Sequence, residues 1–150
     1  MAVRVQEADF DVGAELAALT ANNHRVGGVG VFVGVVRDTA GGSAVSGMTL
    51  EHYPGMTERQ LAAIEAEAAA RWPLEASLIV HRVGRLAPGE TIVLVACASA
   101  HRQAALDATA FLIDWLKTKA PFWKLEETAD GECWVDARES DDAAAARWGR

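Results

Sequence analysis

What this 150-residue sequence has little of already narrows its class. It has two cysteines, Cys97 and Cys133, far apart and with no CxxC between them. They read as reduced thiols of a cytosolic protein. No apolar run is long enough to span a bilayer. The opening MAVRVQEADF lacks a signal-peptide pattern, so a cytoplasmic location is expected. Net positive charge is missing as well. The formal charge of -7 argues against a nucleic-acid or anionic-membrane partner recognised by bulk charge, though it leaves room for a local anion site. Lysine is scarce in an uneven way. The chain has 14 Lys+Arg, and its only lysines are Lys117, Lys119 and Lys124, all inside KTKAPFWK. Genome composition explains a preference for arginine, but not three lysines clustered around an aromatic pair.

The length implies one domain, 1–150, able to bury roughly 70% of its unfolded surface. No repeat or linker divides it. An acidic, alanine-rich tail from about 137 is expected to be a loosely held helix. Ala2 to Glu7 alternates as a strand. Asp11 caps a helix whose face carries Val12, Leu16 and Leu19. Val26 to Arg37 and Val45 to Tyr53 read as strands around a turn at Thr39 to Ser43. MTERQL opens a helix, with Thr57 and Gln60 as a capping box and Met56 and Leu61 as a staple; Pro73 stops it. Ala76 to Val83 and Thr91 to Ala98 are apolar strands. A second long helix follows from about Ala100, capped by Ser99, and ends before Pro121. Glu132 to Val135 is a short strand. Strands come in adjacent pairs, so the expected class is α+β with largely antiparallel sheets.

Several motifs fail on inspection. GGVGVFVG, Gly27 to Gly34, lacks both the spacing and the following helix of a dinucleotide fingerprint, and reads as a bent or bulged strand. The four histidines, His24, His52, His81 and His101, show no metal-ligand spacing, so no metal site is expected. His52 and His81 lie in strands and read as structural. Cys97 sits in an apolar strand and reads as a small buried residue. Ser99 and His101 are poorly placed to act as nucleophile and base, and no acid evidently orients the histidine.

Three features remain. Arg37 ends a valine strand beside Asp38, either as a surface ion pair or as a ligand contact. SAHR puts His101 and Arg102 at a helix start, where cations work against the dipole. Together with the free N–H groups of that turn they suit an anion, unless they simply pair with surface acids. Then there is the lysine stretch. From Ala98 to Lys124 four cations face two acids; from Leu125 to Asp142 eight acids face one arginine, Arg138. Lys117 and Lys119 also complement the C-terminal end of their helix, but arginine would do that equally well. Lysine differs in being able to lose its proton. Its ordinary pKa of about 10.4 must fall for work at neutral pH. Burial against Phe122 or Trp123, or a nearby Arg37 or Arg102, would lower it.

With these residues assembled, the chain resembles the large, catalytic subunit of molybdopterin synthase. The matching segments are FVGVVRD (Phe32 to Asp38), LEHYPGMTE (Leu50 to Glu58), RWPL, HRVGRLAPGE, SAHR, DWLKTKAPFWK (Asp114 to Lys124) and WVDARESD (Trp134 to Asp141). They cover nearly the whole chain. The resemblance implies an α/β hammerhead fold with an additional small β subdomain, and a homodimer that binds two small ubiquitin-like sulfur carriers as a heterotetramer. It implies a sulfurtransferase of molybdenum cofactor biosynthesis. The carrier's Gly-Gly tail, ending in a thiocarboxylate, would supply sulfur to cyclic pyranopterin monophosphate and form the dithiolene. No metal, nucleotide or other cofactor of its own is implied, and neither is a nucleic acid or a membrane.

By position, the resemblance makes Lys117 and Lys124 catalytic. It gives Arg37, His101 and Arg102 to the pterin's anionic group and makes Arg138 a further arginine of the substrate pocket. Val35, Val36, Leu125 and Glu126 would line the site through backbone contacts, and Phe32 would support its wall. Lys119 stands where the family often has arginine and receives no role. The loop TAGGS after Asp38 lacks the His or Asn often found there. Trp115 replaces a more usual tyrosine. A rival from another class is a non-catalytic phosphate-binding or carrier-docking module that uses the same cations only for binding.

Overall fold

A computed structural model describes residues 2–40, 43–129, 131–135 and 139–149, with backbone alone at 40, 43 and 139–141. The elements are β1 (Ala2–Gln6), α1 (Val12–Thr20), β2 (Gly28–Val35), β3 (Thr39–Ala40), β4 (Ser43–His52), α2 (Met56–Arg71), β5 (Leu74–Arg82), β6 (Gly84–Leu86), β7 (Thr91–Ser99), α3 (Arg102–Lys119), β8 (Phe122–Thr128), β9 (Gly131–Val135) and α4 (Glu139–Ala146). They build two sheets. The first has the order β1-β5-β7-β2 and the second β3-β4-β8-β9, with β6 also paired to β4. Among the described residues only β1 and β5 run parallel; the other ladders are antiparallel. The α+β class with antiparallel sheets is what strand pairs without intervening helices dictate.

The inner strands explain the first sheet's sequence. Residues on one face of β5 and β7, Leu78, Val80 and Leu94, pack with Phe10, Val12 and Leu19 around α1. Residues on the other face, Ile79, Val93, Val95 and Cys97, join Leu61, Ile64, Phe111 and Leu112 of α2 and α3. Both faces are covered, so both strands read as continuous apolar runs rather than alternating ones. The glycines of β2 let α3 lie close. A Cβ on Gly30 would come within 2.5 Å of the Ala105 carbonyl oxygen and 2.7 Å of Thr109 Oγ1. The register slips between Gly34 and Val35, which is the bulge expected there.

Asp11 caps α1 as expected, its carboxylate accepting from the Ala14 N–H at 2.9 Å. The start of α2 differs. Its N-cap is Gly55, at φ 84°, and Glu58 accepts from the Gly55 N–H at 2.9 Å. Thr57 is not the cap. It is fully buried, and its hydroxyl accepts from the Tyr53 N–H and donates to the Pro121 carbonyl. Met56 is 41% exposed and is the first residue of the helix rather than the residue before its cap. The left-handed Gly55 starts the helix two residues earlier than expected, which turns Thr57 inward to tie the α2 entry to the turn after α3. Ser99 does not cap α3 either; its hydroxyl donates to the Pro73 carbonyl at 2.8 Å, and the N-cap is His101.

No strand is expected between Pro121 and Glu132, where β8 lies. This strand is the centre of the second sheet, paired on one side to β4 and on the other to β9. The tail is a helix, but it is tied down. Trp148 packs edge-on against Trp72 and Phe111. Asp114 accepts from Trp148 Nε1 at 2.7 Å and Arg147 Nη2 at 2.9 Å, while Arg71 Nη1 donates to the Trp148 carbonyl. No helix among the described residues is long and apolar enough to cross a membrane.

Candidate functional site

Helix α3 ends at Lys119, and β8 begins three residues later. The turn Ala120-Pro121 folds the chain back, so the helix end and the new strand meet over one hollow. Along β8 side chains alternate between faces. Phe122, Lys124 and Glu126 therefore share the inner face, and Trp123, Leu125 and Glu127 the outer one. The hollow is a cavity of about 310 Å³. Its floor is apolar, with Val36, Met48, Leu50, Ile92 and Leu116 on it; all five belong to the main core. Its rim is cationic, with Arg37, Lys117 and Lys124, and among the described residues it carries one acid, Glu126, beside Lys124 at 3.6 Å.

The expected site residues thus divide. Lys117, Lys124, Arg37, Val35, Val36 and Glu126 all line this cavity. The Arg37 segment is held by two backbone bonds, from the Val36 N–H to Glu90 and from the Gly89 N–H to Val36. Leu125, expected there through its backbone, lies between Lys124 and Glu126 on β8, paired to Thr49 and Trp134, with its side chain on the other face. Phe32 is not on the wall but packs against the core cluster behind it. Arg138 lies outside the described residues. Lys119 points elsewhere, its ammonium 5.7 Å from the Trp115 ring centroid.

His101 and Arg102 are not brought to the cavity within one chain. They sit exposed at the opposite end of α3 from Lys117. Fifteen residues of helix separate Arg102 from Lys117, roughly 22 Å at 1.5 Å per residue. No acid occupies the first turn of α3, so the anion-friendly character read there persists, but it belongs to another part of the surface.

Sequence reasoning missed His81. It was read as structural, yet it lines the cavity beside Lys117. It is 3% exposed and stacks on Phe122, with ring centroids 3.8 Å apart at 16°. Burial depresses its pKa to about 3. The signal available was its place in a strand buried on both faces, but nothing in the sequence pairs that strand with the turn after α3. Among the described residues no group of three His, Cys, Asp or Glu could hold a metal ion. Cys97 is buried and its thiol is pushed up to about 11 by desolvation, far from the thiolate a nucleophile needs.

A cavity with an apolar floor and a lysine-rich rim can admit an anionic chain end and exchange protons with it. Comparison with known proteins gives this arrangement its family. Residues 5–119 match the family model described as MoaE protein. The molybdopterin synthase catalytic subunit of Pseudomonas aeruginosa is 62% identical over 148 residues, 99% of this chain and 99% of that one. The structure of a molybdopterin biosynthesis MoaE protein from Burkholderia ambifaria superposes with a TM-score of 0.83 at 55% identity, covering 99% of both chains. Molybdopterin synthase from Staphylococcus aureus gives a TM-score of 0.82 at 32% identity, over 89% of this chain and 96% of that one. The family match covers most of the chain and the relatives align almost end to end: the chain belongs to the MoaE family, that of the molybdopterin synthase catalytic subunits.

Proposed function

We propose that the chain transfers sulfur from the thiocarboxylate at the Gly-Gly end of a small ubiquitin-like carrier to cyclic pyranopterin monophosphate, forming the dithiolene of molybdopterin. The observation that carries this reading is the convergence of Lys117 from α3 and Lys124 from β8 on one cavity with Arg37. The thiocarboxylate and the substrate phosphate are both anions at neutral pH. A cationic rim in a protein of net charge -7 gathers them where bulk charge would repel them. The apolar floor excludes water and strengthens each charge interaction. Lys117 and Lys124 exchange protons as sulfur adds and the displaced oxygen leaves. Lys124 has a carboxylate partner in Glu126; Lys117 stands at the helix end. The carrier tail leaves as a carboxylate after each transfer.

A protein partner also has a surface to meet. Trp123 and Trp134 are each about half exposed on the outer face of the sheet that holds Lys124, and exposed apolar surface of this kind favours association. His101 and Arg102 complete a pterin site only if a second copy of the chain delivers them, consistent with a homodimer inside a heterotetramer. In this reading the reaction needs no metal or nucleotide of the chain's own and takes place in the cytoplasm.

Lysine-to-arginine changes separate this reading from a docking module. Lys117→Arg and Lys124→Arg keep charge but remove an exchangeable proton near neutral pH. Each should lower single-turnover sulfur transfer by about 10²–10⁴-fold while leaving carrier affinity nearly unchanged. Full transfer by the double variant would reduce the site to a binding surface. Arg102→Ala should weaken pterin binding more than carrier binding, and the reverse order would break the assignment of His101 and Arg102 to the pterin.

A further inference from the structure

The cavity has one titratable group to which the reaction as proposed gives no task, the imidazole of His81. We propose that His81 is a positioning residue for Lys117: its ring is fixed so that an uncharged Nε2 acceptor faces the cavity and orients the Lys117 amine. This rests on the reading of Lys117 as an acid–base group.

The tautomer follows from the hydrogen bonding. His81 Nδ1 lies 2.8 Å from the Arg82 carbonyl oxygen. A carbonyl can only accept, so Nδ1 carries the proton and Nε2 keeps its lone pair. The ring plane is fixed by Phe122, stacked at 3.8 Å. Phe122 lies between Lys117 and Lys124 in the chain and shares the inner face of β8 with Lys124, so the stack sets the imidazole relative to both lysines. With Nδ1 on the backbone and one face on Phe122, the Nε2 edge is what the ring offers to the cavity it lines.

The ring also stays neutral. Burial is the main cause of its depressed pKa, and the charge of Lys117 pushes in the same direction, as does His52. Among the described residues, the remaining charged groups on the cavity wall are Arg37 after β2 and Lys124 and Glu126 on β8. Neighbouring Arg82 is held by the Glu7 and Thr91 carbonyls and by Glu90. A charged imidazole here would repel both lysines. A neutral acceptor directs a proton of Lys117, itself exposed at the helix end, without that repulsion, and it favours the ammonium form against the neighbouring cations.

The lysine count makes the test clean. Three lysines give three signals in a chain labelled with ¹³Cε-lysine, assignable by single Lys→Arg changes. His81→Asn keeps a donor near the Nδ1 position and removes the Nε2 acceptor. It should lower the Lys117 titration midpoint by about 0.5–1 pH unit, the net effect of one ordinary hydrogen bond at a solvent-exposed group, and leave Lys119 and Lys124 in place. His81→Gln, which restores a polar group near Nε2, should bring Lys117 most of the way back. An unmoved Lys117, or an equal shift of all three lysines, would overturn the proposal. Long-range ¹H–¹⁵N spectra of the unsubstituted chain check it without mutation: His81 should show a protonated Nδ1 and an unprotonated Nε2, and the opposite tautomer would overturn it. Sulfur transfer by Lys117→Arg is a separate readout, so loss of the functional reading and loss of this one are told apart.

Discussion

Replacing His81 by Phe should change how stability depends on pH, by an amount that follows from its burial. The folded chain holds this imidazole at a pKa of about 3, against an ordinary value of 6.5. Between those values the unfolded chain binds a proton there and the folded chain does not. The stability tied to the neutral ring is thus fully present above pH 6.5 and is lost as pH falls towards 3. The slope is about 1.4 kcal/mol per pH unit, so about 2 kcal/mol disappears between pH 6.5 and pH 5. Phe keeps the stack on Phe122 but leaves the Arg82 carbonyl without its donor, a constant cost of about 1–3 kcal/mol that pH does not touch. Glu65 opposes the trend, since burial raises its pKa and acid relieves that penalty, but it does so in both proteins and cancels in the difference. Urea unfolding of both proteins at pH 7.5, 6 and 5 gives the comparison. The unsubstituted chain should be the more stable one at pH 7.5 and should lose about 2 kcal/mol of that advantage by pH 5. Parallel pH profiles would refute a buried, neutral His81.

Gly30→Ala should destabilise by about 1–3 kcal/mol in urea unfolding, because the new methyl has backbone of α3 in its way and the helix must lift. Asp114→Ala removes the acceptor of both Arg147 and Trp148. It should cost about 1–3 kcal/mol and expose the C-terminal helix to limited proteolysis well before the rest of the chain.

The strands of the first sheet were legible because burial on both faces leaves long apolar runs, and Asp11 was legible because a cap is a local device. The α2 entry was misread by two residues, because a left-handed glycine and a buried threonine depend on where the chain goes next. Strand β8 was missed for a related reason. FWKLEET carries three charges in seven residues, and its pairing is supplied by β4 and β9 rather than by its own composition. In the site, Lys117, Lys124 and Arg37 were legible as unusual cations in unusual places. The placing of Arg102 near the lysines fails on helix rise alone, which sets it a helix length from Lys117, whereas the meeting of His81 with Phe122 is a long-range contact that no local pattern announces.

Incubating the chain with a thiocarboxylated carrier and cyclic pyranopterin monophosphate, and following dithiolene formation together with the carrier's mass, measures sulfur transfer directly. Product should appear as the carrier tail turns from thiocarboxylate to carboxylate, and the Lys117→Arg, Lys124→Arg double variant should bind the carrier without making product. A carrier that binds yet keeps its sulfur with the unsubstituted chain, or undiminished product from the double variant, would contradict lysine-dependent sulfur transfer in this cavity.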